Sequence, residues 1–163
     1  MLVKICGTTR AEDARFAVEA GADLLGVIFV RRSKRLVTLD QARPIVRSLS
    51  GGVRPVGVFA GQTIGEVVEI ARALALPLVQ LHGDEPPEYL TELGRELPEA
   101  GFLRAWGFRD RGDLAEILHF IDHLAEPHRL PVAPCHRQLL QVLQPRAAAE
   151  VADQVLAAVQ RQE

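Results

Sequence analysis

Long apolar runs are missing from this 163-residue chain. No stretch approaches the roughly 20 apolar residues that a membrane-spanning helix needs, so no membrane role is expected. Cysteine is nearly missing as well: Cys6 and Cys135 are too few for a disulfide framework, and the expected setting is reducing and cytoplasmic. The first residues show no basic leader ahead of an apolar segment, so no secretory signal is expected. Charge of one sign is not in excess. The formal net charge is -2, which leaves no global basic field to hold nucleic acid. Lysine is confined to Lys4 and Lys34, the other cations being arginines, and glycine stops altogether after Gly112.

What remains is ordinary globular material, 48% apolar and 25% charged, of a length that suits one domain over 1–163. Short valine-rich runs alternate with helix-like stretches. Strands are expected at 2–7, 24–30, 54–60, 77–83 and 101–108, with a weaker sixth at 129–134. Helices are expected at 9–23, closed by Gly21, and at 39–49, 64–76, 86–97 and 111–125. The prolines at 86 and 87 suit a first helical turn. Residues 138–163 read as helix interrupted near Pro145, so 2–134 carry the strand–helix units and 135–163 form a divergent helical tail.

Alternation of this kind implies a parallel sheet covered on both faces. Two α/β architectures compete, an open doubly wound sheet and a (β/α)8 barrel. The turn after the first strand, CGTTRAED, lacks the G-x-G-x-x-G of a dinucleotide-binding open sheet. Polar or reactive residues cluster instead at the C-terminal ends of strands: Cys6, Arg31 to Arg35, His82 and Trp106. That rim is where a barrel builds its chemistry. A full barrel takes roughly 200 residues or more, so the expectation is an incomplete barrel of about six units. Its open sheet edges would favour a homo-oligomer.

Three residues stand out. Cys6 ends the first strand and precedes a helix start, where a thiolate can act as base or nucleophile, although an isolated cysteine is commonly a small buried hydrophobe. RRSKR (31–35) places four cations in five residues, either a solvated loop or an anion clamp suited to carboxylate or phosphate. His82 ends the fourth strand and is followed by Gly83, which allows a sharp turn toward a ligand. A zinc site from Cys6, His82, Cys135 and His136 has no close ligand spacing to support it.

The segments KICGTTRAEDA, GADLLGVIF, SKRLVT, RPVGVF and VQLHGDE, in this order and spacing, resemble the phosphoribosylanthranilate isomerase family over residues 2–108. The resemblance implies a (β/α)8 barrel and an Amadori rearrangement in tryptophan biosynthesis. The substrate would be the small phosphorylated N-(5-phosphoribosyl)anthranilate, with no metal or organic cofactor. It implies Cys6 as the general base, Arg35 as the holder of the anthranilate end and His82 as a pocket-lining residue. The family's general acid is an aspartate at the end of strand six, and glycine pairs after later strands hold the phosphate. Residues 129–138 contain no aspartate, and no glycine follows Gly112. Low turnover is therefore expected, with a non-catalytic barrel fragment that binds a ligand or partner as the alternative.

Overall fold

Each element of the chain begins with a local signal that the sequence supplies. In this computed structural model, residues 2–107, 120, 132–135 and 138–143 are described. Strand β1 (Lys4–Cys6) leads to helix α1 (Ala11–Glu19), which stops where Gly21 adopts φ +85°, the left-handed backbone that glycine tolerates. Strand β2 (Leu24–Ile28) precedes α2 (Leu39–Arg47), and β3 (Arg54–Phe59) precedes α3 (Ile64–Ala73). Both helices start at a reciprocal threonine cap, Thr38 with Gln41 and Thr63 with Glu66, so two otherwise orphaned N–H groups are satisfied at each start. Strand β4 (Leu78–Leu81) is followed by α4 (Pro87–Glu96), whose first-turn proline has no N–H to waste. Strand β5 is Gly101–Gly107.

The chain's contacts group into two units, Met1–Gln80 and Leu81–Glu163. In the first, strands lie in the order β1-β2-β3-β4. β1 runs parallel to β2 with Cys6 opposite Gly26, and β2 runs parallel to β3 with Gly26 opposite Val56. Consecutive order with no reversal decides between the two expected architectures, because a doubly wound sheet must reverse its strand order at a switch point. All five residues of β2 are buried. The buried side chains of the helices are small or branched, Ala14 and Ala17 in α1, Ala42 and Ile45 in α2, and Val67, Val68 and Ala71 in α3.

In the second unit, β5 pairs antiparallel with β7 (Gln138–Leu143), and β7 pairs antiparallel with β6 (Val132–Cys135). This corrects two expectations. Residues 138–143 form a strand and not the start of a helical tail. The strand near 129–134 is not a sixth parallel strand, because it lies beyond β7 in a hairpin. Only His136 and Arg137 separate β6 from β7, far too few for the crossover that parallel neighbours require. Pro134 cannot donate to a ladder, and β6 stands at the edge of the sheet, where that costs least. The expected helix at 111–125, apart from Phe120, and the rest of the tail lie outside the described residues.

Candidate active site

The lip of β1 is tied into the sheet by its neighbour. The N–H groups of Gly7 and Thr8 both donate to the carbonyl of Gly26, at 2.9 and 3.3 Å. Gly7 has φ +88°, and this left-handed turn swings the chain away immediately after Cys6. Cys6 is therefore the last strand residue, half-buried, with its backbone fixed on both sides.

The loop after β2 returns to the same place. Its base is closed by a parallel bridge between Ile28 and Leu36 and by Val37 N–H donating to Ile28 O at 3.0 Å. Inside it, Ser33 N–H donates to Val30 O, and Arg35 N–H donates to Ser33 Oγ at 3.1 Å. This compact turn directs the Arg35 side chain back over β1, where Nη1 donates to the carbonyl oxygen of Cys6 at 2.8 Å. The guanidinium lies against Gly7: a Cβ built on that glycine would meet Arg35 Nη1 at 2.5 Å and Cζ at 2.7 Å. Among the described residues this is the one hydrogen bond of the Arg35 guanidinium, so most of its five N–H donors are left for a ligand.

Arg31 of the RRSKR run is committed differently. Arg31 pairs with Glu66 at 2.5 Å, joining the loop to the cap of α3. Thr63 donates to the same carboxylate from its N–H and its hydroxyl, and these bonds, with Arg31 adding less, hold Glu66 below the usual carboxylate range. The run is thus not uniform: Arg31 braces the cap of α3, and Arg35 lies over the end of β1.

His82 belongs to the second unit. It follows β4 directly and is exposed. The turn after it is held from below: Gly83 N–H donates to Glu85 Oε2 at 3.1 Å, and Glu85 forms a buried ion pair with Arg104 of β5, each side chain 5% exposed. Arg104 also lies over the rings of Trp106, at 5.6 Å, and Phe120, at 5.2 Å, which meet each other edge to face. Trp106, expected among the rim's reactive residues, serves here as packing for that cation.

The structure adds two residues that reading the sequence passed over. Gly26 stands opposite Cys6 on β2, and a Cβ there would meet Cys6 Sγ at 2.7 Å and Lys4 Nζ at 3.0 Å. Gly26 is the notch that leaves room for the thiol, and Lys4 reaches into the same notch. The signal was present: Lys4 and Cys6 are two apart on a strand and must share a face. Among the described residues no group of three or more His, Cys, Asp or Glu could hold a metal, and no helix is long and apolar enough to cross a membrane.

Comparison with known proteins points to one family. The family described as N-(5'phosphoribosyl)anthranilate (PRA) isomerase matches residues 3–123. The isomerase of Rubrobacter xylanophilus is 44% identical over 117 residues, 71% of this chain and 55% of that protein. That of Geobacter metallireducens is 43% identical over 118 residues, 72% of this chain and 56% of its own length. The crystal structure of the Thermotoga maritima enzyme superposes with a TM-score of 0.70 at 35% identity, covering 75% of this chain and 58% of that one. The chain spans a little over half the length of the curated relatives it matches. The structural likeness places it in the α/β class, of the (β/α)8-barrel type expected from the sequence.

Proposed function

The chain belongs to the N-(5'-phosphoribosyl)anthranilate isomerase family, and we propose that it carries the proton-abstracting and anthranilate-binding part of that family's site. The observation that carries the reading is the Arg35–Cys6 contact around Gly7. It holds a guanidinium that can bind a carboxylate beside a thiol that can take a proton, both fixed to strand ends.

In the proposed Amadori rearrangement, the phosphorylated aminoribose opens to an iminium. The Cys6 thiolate removes the proton from C2, and the electrons of that C–H bond form C1=C2 while the iminium pair returns to nitrogen. The resulting enaminol loses its 2-hydroxyl proton to water and takes up a proton at C1, which gives the 1-deoxyribulose ketone. Arg35 binds the anthranilate carboxylate through the donors not used on Cys6 O, and for His82 the pocket-lining role rests on the family resemblance alone. Rigid placement of base and carboxylate anchor is worth a large part of such a barrier, since C2 must lie within hydrogen-bond reach of sulfur. No metal or organic cofactor takes part in this scheme, and the setting is cytoplasmic.

The segment 129–138 has no aspartate, which favours a chain that binds this ligand class but turns it over slowly. A ligand that tests both points is the reduced 1-(o-carboxyphenylamino)-1-deoxyribulose 5-phosphate found with a related isomerase at 35% identity. Wild-type chain is expected to bind it, Arg35→Gln to bind it about tenfold to a hundredfold more weakly, the range for one hydrogen bond to a charged group, and Cys6→Ser to bind it undiminished. Residual turnover, followed by loss of anthranilate fluorescence, should fall roughly a hundredfold or more in Cys6→Ser with little change in KM. Failure of the wild-type chain to bind the analogue would overturn the reading.

A further inference from the structure

Lys4 is the cation that the scheme above leaves unused. Its backbone stands opposite Leu24, one layer below the Cys6–Gly26 pair, yet its ammonium has climbed to the level of Gly26. The ammonium and Cys6 Sγ flank the one volume that a Gly26 side chain would fill, at 3.0 and 2.7 Å from that Cβ position. Among the described residues Lys4 has no carboxylate and no hydrogen-bond acceptor as a partner. A lysine that is only a solvated surface group directs its head to water. This one is half-buried, and its ammonium lies against Gly26 on the side where the thiol also lies.

We propose that Lys4 is a second working group of the site, holding an oxyanion beside Cys6. This rests on the reading of Cys6 as the base: the oxygen on C2 lies one bond from the carbon that the thiolate deprotonates, and when the enaminol then gives up its hydroxyl proton to water and takes a proton at C1, the Lys4 ammonium donates to that oxygen as it becomes negative. Arg35 approaches Cys6 from its carbonyl side and reaches toward the carboxylate, so the two cations divide two anionic parts of one ligand. Gly26 is then a site residue by virtue of its size, because any side chain there separates the ammonium from the sulfur.

The test reads the ammonium's field at Cys6 without requiring turnover. Iodoacetate and iodoacetamide alkylate the same thiolate and differ in charge, so the ratio of their rates cancels the thiol's own reactivity. That ratio is followed by mass spectrometry at the peptide containing Cys6. Lys4→Met should lower it about fivefold or more, the effect of losing a unit charge a few ångströms away, and Lys4→Arg should largely preserve it. If a Lys4 variant does not fold, the wild-type chain gives the same answer by partial acetylation. Trypsin releases residues 5–10 when Lys4 is free and leaves residues 1–10 joined when it is acetylated. The two Cys6-containing peptides then report the ratio with and without the charge in one sample. An equal ratio in both peptides, or an unchanged ratio in folded Lys4→Met, overturns the proposal. A lowered ratio in a chain that fails to bind the reduced analogue would uphold the anionic subsite while removing the isomerase reading.

Discussion

The Arg35 guanidinium donates to the carbonyl of Cys6 at 2.8 Å and covers the Cα of Gly7, so the loop after β2 and the lip of β1 move as one piece. The contact exists because residue 7 has no side chain and adopts φ +88°. Gly7→Ala should suffer twice. The left-handed conformation is strained for alanine, and the new Cβ would lie 2.5 Å from Arg35 Nη1. The expected loss is about 1–3 kcal/mol by urea denaturation. Affinity for the reduced analogue should fall in the same variant as the arginine is pushed off Cys6. Full stability together with full affinity would show that the turn and the arginine are independent.

The Glu85–Arg104 pair holds the turn that follows His82, and both groups are almost wholly removed from water. Arg104 Nε is also buried with no hydrogen-bond partner. Removing the carboxylate alone leaves a buried cation whose remaining company, among the described residues, is two aromatic rings. Glu85→Ala should therefore cost about 3–5 kcal/mol, whereas the double change Glu85→Leu with Arg104→Met should cost much less, because neither charge is left behind. Chemical denaturation of the three proteins checks this. A double variant as unstable as the single one would mean that the pair supplies more than mutual compensation.

Much of this could be read from residues alone, and the reason is local. Thr38 with Gln41, Thr63 with Glu66, Pro87 and Gly21 each mark a helix end within a few residues, so the strand–helix alternation through Gly101 was visible before any long-range contact was known. Cys6 and Arg35 were visible as motif residues, and the loop geometry brings them together. Lys4 was not, since a lysine on a first strand reads as solvated until the notch opposite it is seen. Gln138–Leu143 misled for a different reason. A six-residue run of leucine, valine and glutamine suits either period, and what decides it is an antiparallel register with β5, which no local pattern contains.

Acid should weaken the first unit partly through Glu66. Hydrogen bonds from the Thr63 N–H and hydroxyl, helped by Arg31, lower this carboxyl below its ordinary value of 4.5, against a smaller opposing effect of burial. A lowered folded value means that the unfolded chain takes up the proton first. The contribution is therefore complete above 4.5 and is lost as pH falls through the folded value. Thermal midpoints of wild type and Glu66→Gln should differ at neutral pH and converge below that point. A constant difference across the range would exclude the ionised cap as its source.

Among the described strands β1 is terminal in its sheet, and apolar side chains on it and just before it are uncovered: Ile5 is 39% exposed and Val3 41%. Phe16 on the neighbouring α1 is 66% exposed. An edge strand offers a row of unpaired N–H and C=O groups, and apolar side chains beside that row remove the usual protection of charge. Self-association through β1 is the expected consequence. Sedimentation at micromolar concentration should show a species heavier than the 17.9 kDa chain, and Ile5→Lys should shift it toward the monomer without loss of secondary structure. Ile5 is the informative position because its neighbours Lys4 and Cys6 point to the other face, so a charge placed there disturbs the edge while sparing the thiol. If wild type sediments as one 17.9 kDa species, or if Ile5→Lys leaves the heavier species intact, β1 is not the contact.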